Sequence, residues 1–127
     1  MARIAIVDDS RLARTFTASC LKKQGHELTE IDPTGIFDVL RVLKDHPPAL
    51  LLMDYLMPHC PGMSLVRTVR EERALKHTKI LVITAHRDDE VQERLTHLGA
   101  DAFLHKPFEP QALVDAVDGL LAQAQED

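Results

Sequence analysis

The run Leu50-Leu51-Leu52-Met53 is apolar at every position and breaks off at the carboxylate of Asp54. Just beyond it, Pro58, Pro61 and Gly62 forbid a regular element. A short, wholly apolar run bounded by turn residues is the pattern of a parallel strand buried on both faces. Here such a strand delivers one acid to the rim of a sheet. Two more runs end alike: Ile4-Ala5-Ile6-Val7 stops at Asp8-Asp9, and Ile80-Leu81-Val82-Ile83 stops at Thr84. A shorter one, Ala102-Phe103-Leu104, is followed two residues later by Lys106-Pro107. In an open parallel sheet, ligands bind outside the carboxyl ends of the strands, so these acids, the hydroxyl and the ammonium are expected to converge on one crevice. That set suits a metal ion and a phosphoryl group.

Between the runs lie helical patterns. Ser10 is placed as an N-cap, with Ala13, Phe16, Cys20 and Leu21 as an apolar stripe, and Gly25 ends that helix. Residues 27 to 31 alternate as an edge strand does, and Asp32-Pro33-Thr34-Gly35 is a turn. Ile36, Val39, Leu40 and Leu43 repeat at helical spacing and must stop before Pro47-Pro48. Leu65, Val66 and Val69 mark a third helix from near Gly62, with Arg67, Arg70, Glu71, Glu72 and Arg73 expected as its solvated face. A polar fourth helix turns Val91, Leu95 and Leu98 inward and ends at Gly99. Leu113, Val117, Leu120 and Leu121 give the last, entered through Pro107 and Pro110, and residues 122–127 read as a fraying tail.

Five strands alternating with five helices predict a single doubly wound (βα)5 domain of α/β class, a parallel sheet of order 2-1-3-4-5 over about residues 3–122. A closed barrel would need about twice this length. At 127 residues the chain suits one domain, and with 4% aromatic residues and no Trp its core must be mainly aliphatic. A net charge of −5 argues against a direct nucleic-acid surface. No run approaches the roughly 20 apolar residues that span a bilayer, and no signal-peptide pattern opens the chain, so a cytoplasmic protein is expected. Cys20 is expected as a buried small hydrophobe and Cys60 as an exposed, oxidisable thiol. His59-Cys60 lacks the four spaced ligands of a structural zinc site.

Taken singly, Asp8-Asp9 reads as a turn and cap pair, Thr84 as a strand-end hydroxyl and Lys106 as a surface lysine. Together, each after its own strand, they read as chemistry. Three packed carboxylates repel one another, and a divalent cation relieves that repulsion while leaving Asp54 ionised and nucleophilic.

In order, Val7-Asp8-Asp9-Ser10, Asp54 with Met57-Pro58 and Gly62, Thr84-Ala85, and Lys106-Pro107-Phe108 resemble the receiver domain of two-component response regulators, the CheY-like family of flavodoxin-like fold. The resemblance covers essentially the whole chain. It implies that Asp54 is the phosphoacceptor and that Mg2+ is held by Asp9, Asp54 and the backbone carbonyl of Leu56, with Asp8 acting mainly through water. It further implies that Thr84 and Lys106 contact the phosphoryl group, that Thr84 and Phe103 form the switch, and that Leu56 and His86 flank the path of hydrolytic water and tune the phosphoryl lifetime. The implied partners are a sensor histidine kinase or histidine phosphotransfer protein upstream and a target protein or output domain downstream, with a phosphorylation-linked homodimer. Phe103 offers no hydroxyl, and Pro61 should stiffen the loop over the site. Met1 and the polar ending lead us to expect a single-domain or N-terminal receiver.

The expected function is a signalling switch that catalyses its own aspartyl phosphorylation and dephosphorylation, not an enzyme acting on a separate substrate. One alternative is a phosphorylation-independent interaction module on the same scaffold, against which the intact Asp9, Asp54, Thr84 and Lys106 set argues. A hydrolase of the haloacid type also uses an aspartyl nucleophile but needs a longer chain with a cap.

Overall fold

Side chains along the central strands sort by parity, as a strand buried on both faces requires. In the computed structural model, which describes residues 2–126, Ala5, Val7, Leu51, Met53, Ile80 and Val82 enter one core layer. Ile4, Ile6, Leu50, Leu52, Leu81 and Ile83 enter the other. The elements alternate strictly: β1 (Arg3–Val7), α1 (Arg11–Lys22), β2 (Glu27–Ile31), α2 (Ile36–Asp45), β3 (Leu50–Met53), α3 (Gly62–Glu71), β4 (Lys79–Thr84), α4 (Asp89–Leu98), β5 (Ala102–His105) and α5 (Pro110–Glu126). The strands form one parallel sheet of order β2-β1-β3-β4-β5, the order expected from the sequence. Helices α2, α3 and α4 cover the first face through Val39, Leu43, Leu65, Val66, Val69 and Leu95. Helices α1 and α5 cover the second through Ala18, Leu21, Leu113 and Val117.

Local signals explain most boundaries. Ser10 Oγ accepts the Ala13 N–H at 3.2 Å and opens α1. Asp88 caps α4 by accepting from Glu90 and Val91, and Gly99 at φ 121° closes it. No described helix is long and apolar enough to cross a membrane.

Several expectations are corrected. The inward stripe of α1 is Arg14, Thr17, Ala18 and Leu21; Phe16 is turned out and packs on Phe108, ring centroids 5.9 Å apart. Cys20 is only half-buried, whereas Cys60 is fully buried and burial pushes its thiol up to about 11. A short 3-10 turn at Arg73–Leu75, unforeseen, buries Leu75 after α3. Arg70 is no solvated charge: it donates to the carbonyls of Gly99 (2.9 Å) and Thr78 (2.7 Å) and to Asp101 Oδ2 (2.8 Å). Asp101 Oδ2 also accepts the Ile80 N–H at 2.8 Å, so one cation ties α3 to the start of β4 and the end of α4. Residues 122–126, expected to fray, continue α5, and Asp127 lies outside the described residues.

Candidate functional site

The sheet register brings the strand ends to one rim. Val7 pairs with Met53, Met53 with Val82, and Val82 with Phe103. Pairing then runs one step past the strands: the Asp54 N–H donates to the Val7 carbonyl at 3.1 Å, and the Lys106 N–H to the Thr84 carbonyl at 2.9 Å. Asp54 is thereby fixed beside Asp8, and Lys106 at the end of β4, just before a cis peptide to Pro107.

Lys106 Nζ stands 3.2 Å from Asp8 Oδ2 and 3.2 Å from Asp54 Oδ2. The second oxygen of each acid is held by backbone, Asp8 Oδ1 by the Ser10 N–H at 2.9 Å and Asp54 Oδ1 by the Tyr55 N–H at 2.6 Å. Asp8 is buried, Asp54 nearly so, and Asp9 is exposed. Carboxylate oxygens of Asp8, Asp9 and Asp54 lie within 4.8 Å of one another. Burial alone would depress the Lys106 ammonium, but Asp54 first and Asp8 second outweigh it and hold its pKa above the usual 10.5. It is a permanent cation at physiological pH. Thr84 is buried, and its Oγ1 accepts the His86 N–H at 3.0 Å.

Around this centre, Phe103 is half-buried in a small cavity shared with Tyr55, Thr84, Val91 and Leu95. The His86 ring stacks on Tyr55, and Leu56 is 60% exposed beside them. The structure thus gathers Asp8, Asp9, Asp54, Thr84 and Lys106 at the rim and sets Leu56, His86 and Phe103 about it. Sequence reasoning missed Tyr55 and Arg14. The Arg14 Nη1 donates to the Asp8 carbonyl at 2.6 Å. The signal for Arg14 was available, since it falls four residues before Ala18 and seven before Leu21, on the helix face that turns inward.

An acid trio and an ammonium at the carboxyl end of a five-stranded parallel sheet of order 2-1-3-4-5 are the arrangement of a receiver domain. The chain belongs to the response regulator receiver domain family, whose model matches residues 4–118. It is 30% identical over 118 residues to the phosphate regulon transcriptional regulatory protein PhoB of Pseudomonas aeruginosa, covering 93% of this chain and 51% of that protein. It is 23% identical over 121 residues to the polar-differentiation response regulator DivK of Brucella ovis, covering 95% and 97%. Among solved structures, chemotaxis protein CheY4 of Vibrio cholerae superposes with a TM-score of 0.88 at 27% identity, covering 94% of this chain and 98% of that one. The chain spans about half the length of PhoB and of a second similar Pseudomonas aeruginosa protein, transcriptional regulatory protein GltR, and nearly all of DivK and CheY4.

Receiver domains of this family serve histidine kinases and output targets and bind Mg2+ in an acidic pocket. The donors here fit that ion: they are oxygen only, anionic and convergent, as a small hard cation prefers.

Proposed function

We propose that this chain is a phosphorylation-controlled switch in which Asp54 takes a phosphoryl group from a sensor histidine kinase or a histidine phosphotransfer protein. The observation that carries the reading is the Lys106 ammonium set equally, at 3.2 Å, between the carboxylates of Asp54 and Asp8 inside the acid trio. Asp54 Oδ1 is engaged by the Tyr55 N–H, which leaves Oδ2 as the attacking oxygen. A bond forms from that oxygen to phosphorus as the donor's P–N bond breaks, or the P–O bond of a small acyl phosphate, and the leaving group keeps the bonding pair. Held by Asp9, Asp54 and the Leu56 carbonyl, with Asp8 acting through water, Mg2+ would neutralise charge on the phosphoryl oxygens.

The chain's own residues do the rest. Lys106 keeps its charge and transfers its hydrogen bonds from the carboxylates to the phosphoryl oxygens, stabilising charge where it develops. The Thr84 hydroxyl, now an acceptor from the His86 N–H, turns to donate to a phosphoryl oxygen. Phe103 then repacks toward the space beside Val91 and Leu95, shifting the population between two packings of the surface formed by α4, β5 and α5. That surface meets the target protein or output domain, and it is where phosphorylated copies would pair. On this reading the chain is its own acceptor and not an enzyme in the ordinary sense; it acts in the cytoplasm, and its net charge of −5 disfavours direct contact with nucleic acid.

The test is incubation with acetyl phosphate and Mg2+, read by intact-mass spectrometry. The expected result is the mass of one phosphoryl group on the parent and none on Asp54→Asn, whose amide is a poor nucleophile. Undiminished, hydroxylamine-sensitive labelling of Asp54→Asn would place the acceptor elsewhere. A parent that takes no phosphoryl group from any donor would favour the interaction-module alternative.

A further inference from the structure

The Asp8–Asp9 turn is clasped from the helix that follows it. The Arg14 N–H donates to the Ser10 carbonyl at 2.9 Å, as the first turn of α1 requires. Its side chain, only 13% exposed, folds back toward the rim and donates from Nη1 to the Asp8 carbonyl at 2.6 Å. Nε is buried and lies 3.9 Å from Glu30 Oε1 near the end of β2, beyond hydrogen-bond reach. The short bond to Asp8 is therefore the contact that defines where the guanidinium sits.

That bond has a geometric consequence. The Asp8 carbonyl and the Asp9 N–H belong to one planar peptide unit, so holding the oxygen fixes the plane from which the Asp9 Cα departs. Asp8 needs no such help, because both its carboxylate oxygens are engaged, by the Ser10 N–H and by Lys106. Asp9 is exposed, and the direction of its carboxylate is inherited from the backbone on either side of it. On one side the backbone is held by the Ser10 cap of α1, on the other by Arg14.

We infer that Arg14 is a positioning residue for metal binding: by clamping the Asp8–Asp9 peptide plane it aims the Asp9 carboxylate at Asp54 and pre-forms the divalent-cation site. This deepens the proposed function and rests on its assignment of the acid trio to Mg2+. The sign of the effect separates it from a plain charge effect. A cation beside three carboxylates lowers their joint affinity for another cation, so loss of charge alone would tighten Mg2+ binding. Loss of the clamp would weaken it, because the free turn must be ordered each time the ion binds.

The experiment compares the parent with Arg14→Met and Arg14→Lys. Magnesium chloride alone is titrated while the emission of Tyr55 is followed, the one tyrosine in the chain and the neighbour of Asp54. The expected result is Mg2+ affinity lowered roughly tenfold in Arg14→Met, the scale seen when groups that orient metal ligands are lost. Much of it should return in Arg14→Lys, whose ammonium can still donate to the Asp8 carbonyl. Parent-like or tighter binding by Arg14→Met overturns the inference. A readout independent of metal runs alongside: amide exchange at Asp9 and Ser10 in metal-free protein, expected faster in Arg14→Met than in the parent at equal global stability. Unchanged exchange also overturns it. A parent with no Mg2+ response would sink the assignment of the acid trio instead, and the exchange measurement would still decide whether Arg14 holds the turn.

Discussion

The imidazole of His86 stacks on the phenol ring of Tyr55, with centroids 5.7 Å apart and planes inclined by 28°. The pair joins the loop after β3 to the loop after β4 across the edge of the acidic crevice. On the proposed function it would put bulk on the path of water to a phosphoryl group on Asp54, with the apolar, exposed Leu56 next in sequence to Tyr55. Removing that bulk in His86→Ala should shorten the phosphoryl lifetime. Leu56→Asn should shorten it too, by giving the water a hydrogen-bonding partner. Decay of the labelled protein followed by mass spectrometry checks both. Slower decay in His86→Ala would mean that the imidazole assists the water.

The raised pKa of Lys106 links stability to pH. Its value in the folded protein lies above the 10.5 of a free lysine, so the stabilisation from Asp54 and Asp8 is fully present below 10.5 and is lost as pH rises through the folded-state value. The unfolding free energy of the parent, measured in urea, should therefore fall more steeply above pH 10.5 than that of Lys106→Met. Parallel pH profiles for the two proteins would contradict the ion-pair assignment.

Gly62 is required by close approach: a Cβ there would lie 2.8 Å from the Tyr55 carbonyl oxygen and 2.9 Å from its Cα. Both are backbone atoms and cannot swing away. Gly62→Ala should cost about 1–3 kcal/mol, the scale of overpacking, and should displace Tyr55 next to Asp54. Chemical denaturation gives the first quantity, and the rate of phosphorylation by acetyl phosphate the second, which should fall.

Arg70 is the tie between α3, β4 and α4. Arg70→Leu leaves the Gly99 and Thr78 carbonyls without their donor, at a cost of about 2–3 kcal/mol. Amide exchange should accelerate at Ile80, whose N–H partner Asp101 loses its cation. Unaltered exchange there would show that Asp101 is held without Arg70.

Cys60 should be inert in the folded protein, being fully buried with a thiol pKa raised to about 11. In a timed reaction with a thiol reagent at pH 8, half-buried Cys20 should modify first, and Cys60 only as denaturant unfolds the chain. Prompt labelling of both would show that the loop holding Cys60 opens readily.

The strand pattern and the site's central groups were legible because β1, β3, β4 and β5 each carry an apolar run ended by a polar residue, and sheet topology turns those endings into one rim. Asp54 and Lys106 meet at 3.2 Å though 52 positions apart, a contact their places after β3 and β5 already implied. The arginines were passed over, although the spacing of Arg14 with Ala18 and Leu21 marked its inward face. A reading that classes Arg as polar sends Arg70 to solvent and leaves Arg14 off the stripe of α1, whereas both side chains turn inward and their guanidinium groups satisfy carbonyls that the chain leaves open. Phe16 failed for the opposite reason: a large apolar side chain attracted the predicted stripe of α1 toward itself, while the core took the smaller Thr17 and Ala18. Cys60 sits in a loop of polar and turn residues whose composition suggested exposure, yet the loop folds over and the thiol joins the core.

Because Arg70 grips the Gly99 carbonyl, α4 is pinned at its C-terminal end, while its first residues, Asp88 to Glu90, are exposed at the end nearer the acidic rim. Ten residues make a rod roughly 15 Å long. Swung by about 10° on that pivot, its far tip travels roughly 3 Å, while the pivot itself stays nearly still. Mechanically, the proposed switch would use the helix as a pointer needle: a small repacking around Leu95, partway along the shaft, would be magnified at the tip, and the sheet beneath it would not need to bend.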